Sequence, residues 1–209
     1  MMRIDSLKNT PARAGRYWVT FEDGTKLGLY RQTVEDFGLY IGKELSEEET
    51  SQLLAAAGKM SAKMRAVRIV SATSVSRRDL EERLIRKGED PAQAKEAVQW
   101  MEDLHLVDDR NTAEQVVHSC ISKGYGLARA KQALYEKRIP KEYWDEALED
   151  YPDQLEKIEA FLHSRLDADS DEKQIKRAID ALIRRGHSYG KIKQALNNLS
   201  FDSEDYIED

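Results

Sequence analysis

Four histidines, one cysteine and one pair of adjacent aspartates are the side chains of this chain best suited to metal binding, nucleophilic attack or acid–base work. His105, His118, His163 and His187 share no ligand spacing with one another or with Cys120, so no metal site is expected. Cys120 lies on the apolar side of a helical run with Ala113, Val116 and Val117, where a thiol packs rather than attacks. Asp108-Asp109 ends one helical pattern and opens the next just before Arg110, the place of a helix cap rather than of a catalytic pair. Gly124-Tyr125-Gly126 is too short for a phosphate loop and follows no strand. Trp100, Tyr143 and Trp144 fall within helical patterns as core or groove anchors. The expectation is a protein with no catalytic residue and no cofactor, acting through its surface.

That surface is charge-rich. Charged residues make up 34% of the 209, above the roughly 25% usual in globular chains, while the hydrophobic 40% suits a thin core spread over many amphipathic helices. With 33 basic and 39 acidic residues the net charge is −6, so a nucleic acid is not expected to be its sole partner. Only 11 glycines and 4 prolines punctuate the chain, too few for a short-turn β-sandwich or for low-complexity disorder. No apolar run approaches the roughly 18 residues of a membrane span. The stretch from Met1 to Arg16 carries charges without the apolar centre of a secretory leader, and a lone cysteine suits a reducing compartment. The predicted location is cytoplasmic.

Local patterns place the elements. The β-branched and aromatic run Arg16–Phe21, the turn residues Asp23-Gly24 and the run Lys26–Tyr30 predict a β-hairpin. Helices are predicted from Thr33 and from Ser46, the latter opened by a Ser46–Glu49 capping box. Leu53, Ala57, Met60, Met64, Val67 and Val70 form one helical stripe. Ser76 opens a further helix with Leu80, Leu84 and Ile85 inward and Gly88 at its end. Asp90-Pro91 opens the next, with Ala94, Val98, Met101 and Leu104 on its buried face.

The pattern then recurs. A shift of 50 lays Gly126–Leu134 on Ser76–Leu84, and a further shift of 62 lays Lys193–Leu196 on Lys131–Leu134 with Gly186 on Gly124. Extra residues fall in the polar stretch around Leu166 to Glu172. The fold expected is all-α, with three tandem three-helix repeats stacked in an elongated array after the N-terminal β-hairpin. The predicted segments are 1–45 for the hairpin and short helix, then repeats at 46–106, 107–152 and 153–209; how Tyr151 to Arg185 divides into helices is left open. Charge alternates with the repeat. Lys59–Lys87 holds nine basic and three acidic residues, Glu89–Asp109 one and seven, Arg110–Lys141 seven and two, and Glu142–Glu172 two and twelve. Lys173–Lys193 then holds seven and one, and the tail from Gln194 five acids and no base.

Ser76-Arg-Arg-Asp-Leu80, Leu84, Lys87-Gly88, Leu106-Val-Asp-Asp109, Ala113, Lys123-Gly-Tyr-Gly126, Ala130, Leu134, Ile139-Pro140 and Ala147-Leu148 stand in the order of the RecX family. The chain resembles that family from about Arg16 onward, most closely between Ser76 and Leu148; Thr112 stands where an aromatic is usual, and only Lys123 stands near the place of a common arginine. The resemblance implies three-helix repeats in a bent array. It also implies a bacterial modulator, mainly an inhibitor, of the RecA recombinase in recombination, DNA repair and the SOS response. Such a protein binds the groove of the RecA–single-stranded DNA filament and suppresses ATP hydrolysis, strand exchange and co-protease activity.

The cations expected to meet acidic filament surface or strand phosphates are Arg77, Arg78 and Arg83 in the first repeat, Arg129 and Lys131 in the second, and Lys191 and Lys193 in the third, read as positions at matched register. Glu142, Glu146 and Glu149 are expected to face basic loops of the partner. The partners expected are RecA and, weakly, single- or double-stranded DNA, with no membrane and a monomeric chain. A different class stays open: a general helical DNA-binding module whose second helices act like helix-turn-helix recognition elements.

Overall fold

The computed structural model describes residues 1–10, 15–167 and 169–199. Strands β2 (Arg16–Phe21) and β3 (Lys26–Tyr30) form the expected hairpin, with Gly24 at φ +83° and the Asp23 carboxylate accepting from the Thr25 amide at 2.9 Å. The hairpin is not alone. Strand β1 (Met2–Asn9) pairs antiparallel with β2, and β4 (Glu44–Leu45) closes a four-stranded sheet of order β3-β2-β1-β4. β1 carries Arg3, Asp5 and Lys8, and its register shifts between Ile4 and Ser6, so it lacks the apolar alternation by which a strand is read. Helix α1 (Arg31–Asp36) follows β3 directly.

Helix α2 (Glu47–Ala72) starts at the Ser46–Glu49 capping box, with the two reciprocal bonds at 3.1 and 2.8 Å. Its first half gives Leu53 and Ala57 to a core with Ile4, Val19, Phe21, Leu29 and Leu45 of the sheet. Its second half gives Ala62 and Ala66 to a core with helices α3 (Arg77–Arg86) and α4 (Pro91–Asp103). Ala62 and Ala66 on α2 and Ala94 and Ala97 on α4 are fully buried. These small side chains let the two helices pack closely, while Met60, Met64, Val67 and Val70 are only half-buried. Leu80 and Leu84 point inward as expected, but Ile85 and Leu104 do not. Ile85 is one position round the helix from Leu84, and Leu104 is the C-cap of α4, past the last inward turn.

These elements make one compact unit, Met1–Val107; a second spans Asp108–Asp209. In the second, α5 (Asp109–Ser122) is capped by Asp108, whose carboxylate accepts from the Arg110 and Asn111 amides at 2.8 and 3.1 Å. Helix α6 (Leu127–Glu136), a 3₁₀ turn (Lys141–Tyr143) and the short α7 (Trp144–Leu148) follow. Ala113, Val117, Leu134 and Ile139 form their core, and the Trp144 indole donates to the Ile139 carbonyl at 3.1 Å. The stretch from Tyr151 to Arg185 resolves into two helices, α8 (Leu155–His163) and α9 (Glu172–Arg184), joined through the aspartate-rich segment. With α10 (Tyr189–Asn198) they bury Ile158, Leu162, Ile175, Leu182, Ile192 and Leu196. The acidic tail and the end of the last predicted repeat fall within 200–209, outside the described residues.

Candidate interaction surface

Helices α3, α6 and α10 start alike. Each follows an extended N-cap, Ser76, Gly126 or Ser188, and each buries its fourth and eighth residues: Leu80 and Leu84, Ala130 and Leu134, Ile192 and Leu196. Two buried positions four apart fix which way the remaining positions of each helix face. The third and fifth positions of α6 are Arg129 and Lys131, and those of α10 are Lys191 and Lys193.

In α3 the same two positions are Asp79 and Glu81, so the matched register of cations does not extend to the first repeat. Arg77 and Arg78 stand at the first two positions of α3 instead. The reason is local. An acid in the first turn complements the unpaired amides there, and the Asp79 carboxylate also takes the Arg83 guanidinium in a two-pronged contact at 2.9 and 2.8 Å.

Most of the expected cations already hold a carboxylate. Arg77 pairs with Glu102 at 3.0 Å, Arg78 with Glu82 at 3.2 Å and Arg129 with Glu136 at 3.1 Å; Lys191 pairs with Asp153. The hydrogen bond to Glu136 raises Arg129 above its ordinary value, and the bonds from Arg129 and Gln132 lower Glu136. Surface pairs of this kind contribute only about 0–1 kcal/mol, so an incoming partner can displace them at small cost. Arg83 is held more firmly, against a largely buried Asp79. Lys131 and Lys193 have no ion pair among the described residues. Of the acidic positions, Glu146 pairs with Arg110, while Glu142 in the 3₁₀ turn and Glu149 just after α7 stand exposed.

The glycines passed over as a phosphate loop do something else. Gly126 donates its amide to the Arg185 carbonyl at 2.9 Å, and a methyl group on it would overlap the Gly186 carbonyl. Gly186, at φ +84°, leaves the same lack of room against Arg129. His187 is buried beside them with its Nε2 3.0 Å from the Gly124 carbonyl, so the turn before α6 and the turn before α10 clasp each other. Burial lowers the His187 pKa from its ordinary value near 6.5. Burial likewise pushes the Tyr151 phenol up to about 12; its hydroxyl donates to the Tyr125 carbonyl at 2.7 Å. Cys120 is buried, and burial raises its thiol pKa. Among the described residues no cluster of three His, Cys, Asp or Glu could hold a metal ion, and no helix is long and apolar enough to cross a membrane.

Fold and surface together define a helical repeat protein with an N-terminal antiparallel sheet and charged outer positions. The family model described as RecX, second three-helix domain, matches residues 108–148. Regulatory protein RecX of Clostridioides difficile (strain 630) is 25% identical over 97% of this chain and 97% of its own length. That of Vibrio campbellii (strain ATCC BAA-1116) is 28% identical over 70% of this chain and 94% of its own length. Among solved structures, the crystal structure of a regulatory protein RecX superposes with a TM-score of 0.62 over 94% of this chain and all of the other, at 19% identity. RecX from Lactobacillus salivarius superposes with a TM-score of 0.59 over 69% of this chain and 98% of its own, at 23% identity. The chain is thus similar to regulatory RecX proteins over nearly its whole length, with the RecX family model matching its second three-helix segment.

Proposed function

We propose that this chain is a non-catalytic modulator of the RecA recombinase, mainly an inhibitor. It binds as a monomer in the groove of the RecA–single-stranded DNA filament and lowers ATP hydrolysis, strand exchange and co-protease activity. Similarity to proteins named regulatory protein RecX supports the regulatory class. The observation that carries the contact surface is the recurrence of Lys131 and Lys193 at one helix position, sixty-two residues apart, with no carboxylate partner among the described residues. In this reading the segments 46–106, 107–152 and 153–209 meet successive RecA protomers. Arg77, Arg78, Arg83, Arg129 and Lys191 exchange their internal carboxylates for acidic filament surface or strand phosphate. Glu142, Glu146 and Glu149 meet basic loops. Several weak contacts made at once multiply through effective concentration, and a chain bridging protomers resists the motions that accompany ATP turnover.

The test is binding of the wild type and of Lys131→Glu/Lys193→Glu to RecA filaments formed on oligothymidylate, at low and at physiological salt. The reversal is expected to weaken binding about ten-fold and to flatten its salt dependence. Unchanged affinity would remove these lysines from the contact surface.

A further inference from the structure

Arg16, Tyr30, Arg65, Arg68, Arg83 and Lys87 line a pocket of about 450 Å³ in the first unit, with no carboxylate among the described lining residues. Three separate pieces of local structure bring them together. The β2–β3 register sets Arg16 opposite Tyr30, with the guanidinium 4.3 Å from the ring centroid. Arg65 and Arg68 are three apart on α2, and Arg83 and Lys87 four apart at the end of α3, so each pair shares a helix face.

Two of the five cations are neutralised from behind. Glu89, its side chain only 6% exposed, holds Arg65 at 2.6 Å and accepts from Ser61 at 3.0 Å, while Asp79 holds Arg83. Arg16, Arg68 and Lys87 have no carboxylate partner among the described residues. Arg68 is nonetheless fixed, donating to the Tyr30 hydroxyl at 2.6 Å. Like charges gathered in a concave wall repel one another more than they would on an open surface, and an anion entering the pocket relieves that repulsion. Planar guanidinium forks match the oxygens of a phosphate group, and the volume falls within the range of about 300–1,000 Å³ typical of ligand sites. Tyr30 has one face covered by Arg16 and its hydroxyl engaged, so the pocket offers charge rather than a stacking platform.

We propose that this pocket is a binding site for phosphate groups, carried either by the backbone of a nucleic-acid strand or by a free polyphosphate. The site stands on the first unit alone and shares only Arg83 with the proposed filament contacts, so it is tested on the full chain without RecA. Pyrophosphate is titrated by calorimetry and labelled oligothymidylate by fluorescence anisotropy. The proteins are the wild type, Arg68→Ala/Lys87→Ala, Arg16→Gln as a second and milder variant, and Arg86→Ala/Lys95→Ala as an equal charge change outside the pocket. Both pocket variants are expected to lose pyrophosphate binding while the control keeps it. If the source is a strand, the double variant also lowers the slope of log affinity against log salt for oligothymidylate by about 1.4, at 0.7 per lost phosphate contact. Loss of pyrophosphate binding with an unchanged oligothymidylate slope assigns the site to free polyphosphate. A wild type that binds neither probe, or pocket and control variants that behave alike, would overturn the proposal.

Discussion

His187 is a buried titratable side chain that couples the stability of the second unit to pH. Its imidazole is pushed below the ordinary value mainly by burial, an effect that the Gly124 carbonyl partly offsets and the Arg185 charge adds to. A base with a lowered folded pKa takes its proton more readily in the unfolded chain. Its contribution to stability is therefore complete above about pH 6.5 and is lost as pH falls through that value toward the lowered folded one. Urea midpoints at neutral and mildly acidic pH are expected to fall further for the wild type than for His187→Gln. Equal losses in the two proteins would show that another group governs this window. None of this was legible from the residue alone, because its partner is a backbone carbonyl sixty-three positions away.

The clasp between the turn before α6 and the turn before α10 is the contact at element scale that the sequence marks without explaining. A Cβ on Gly126 has no room beside the Gly186 carbonyl, and relieving the overlap would disturb the hydrogen bond that the Gly126 amide donates to the Arg185 carbonyl. Gly126→Ala is expected to destabilise the second unit by about 1–3 kcal/mol, read from urea unfolding. A change within a few tenths would mean that the two turns part easily. Elements with strong local signals were legible: β2 and β3 around Asp23-Gly24, the Ser46 and Asp90 caps, and the start of α5 at Asp108. β1 was not, since only Ile4 of its eight residues is deeply buried. The helices between Tyr151 and Arg185 were left open because Leu155, Ile158 and Leu162 gain their partners from α9 and α10, far along the chain. Arg16, Arg65, Arg68 and Lys87 were passed over for a similar reason. Each has the look of a solvated charge until the sheet and two helices converge on one pocket.

For the whole molecule, a net charge of −6 conceals strongly basic segments separated by acidic ones. Such a chain gains little from a uniformly charged partner and most from one whose own charge repeats, as successive protomers of a filament do. Under the proposed function the regulatory action lies at the level of the filament, with each bound chain affecting more than one RecA protomer. The most direct test is RecA's DNA-dependent ATP hydrolysis with this protein added below one copy per protomer. The rate is expected to fall by more than the fraction of protomers that the added protein could block singly. A rate unchanged up to one copy per protomer would contradict the account.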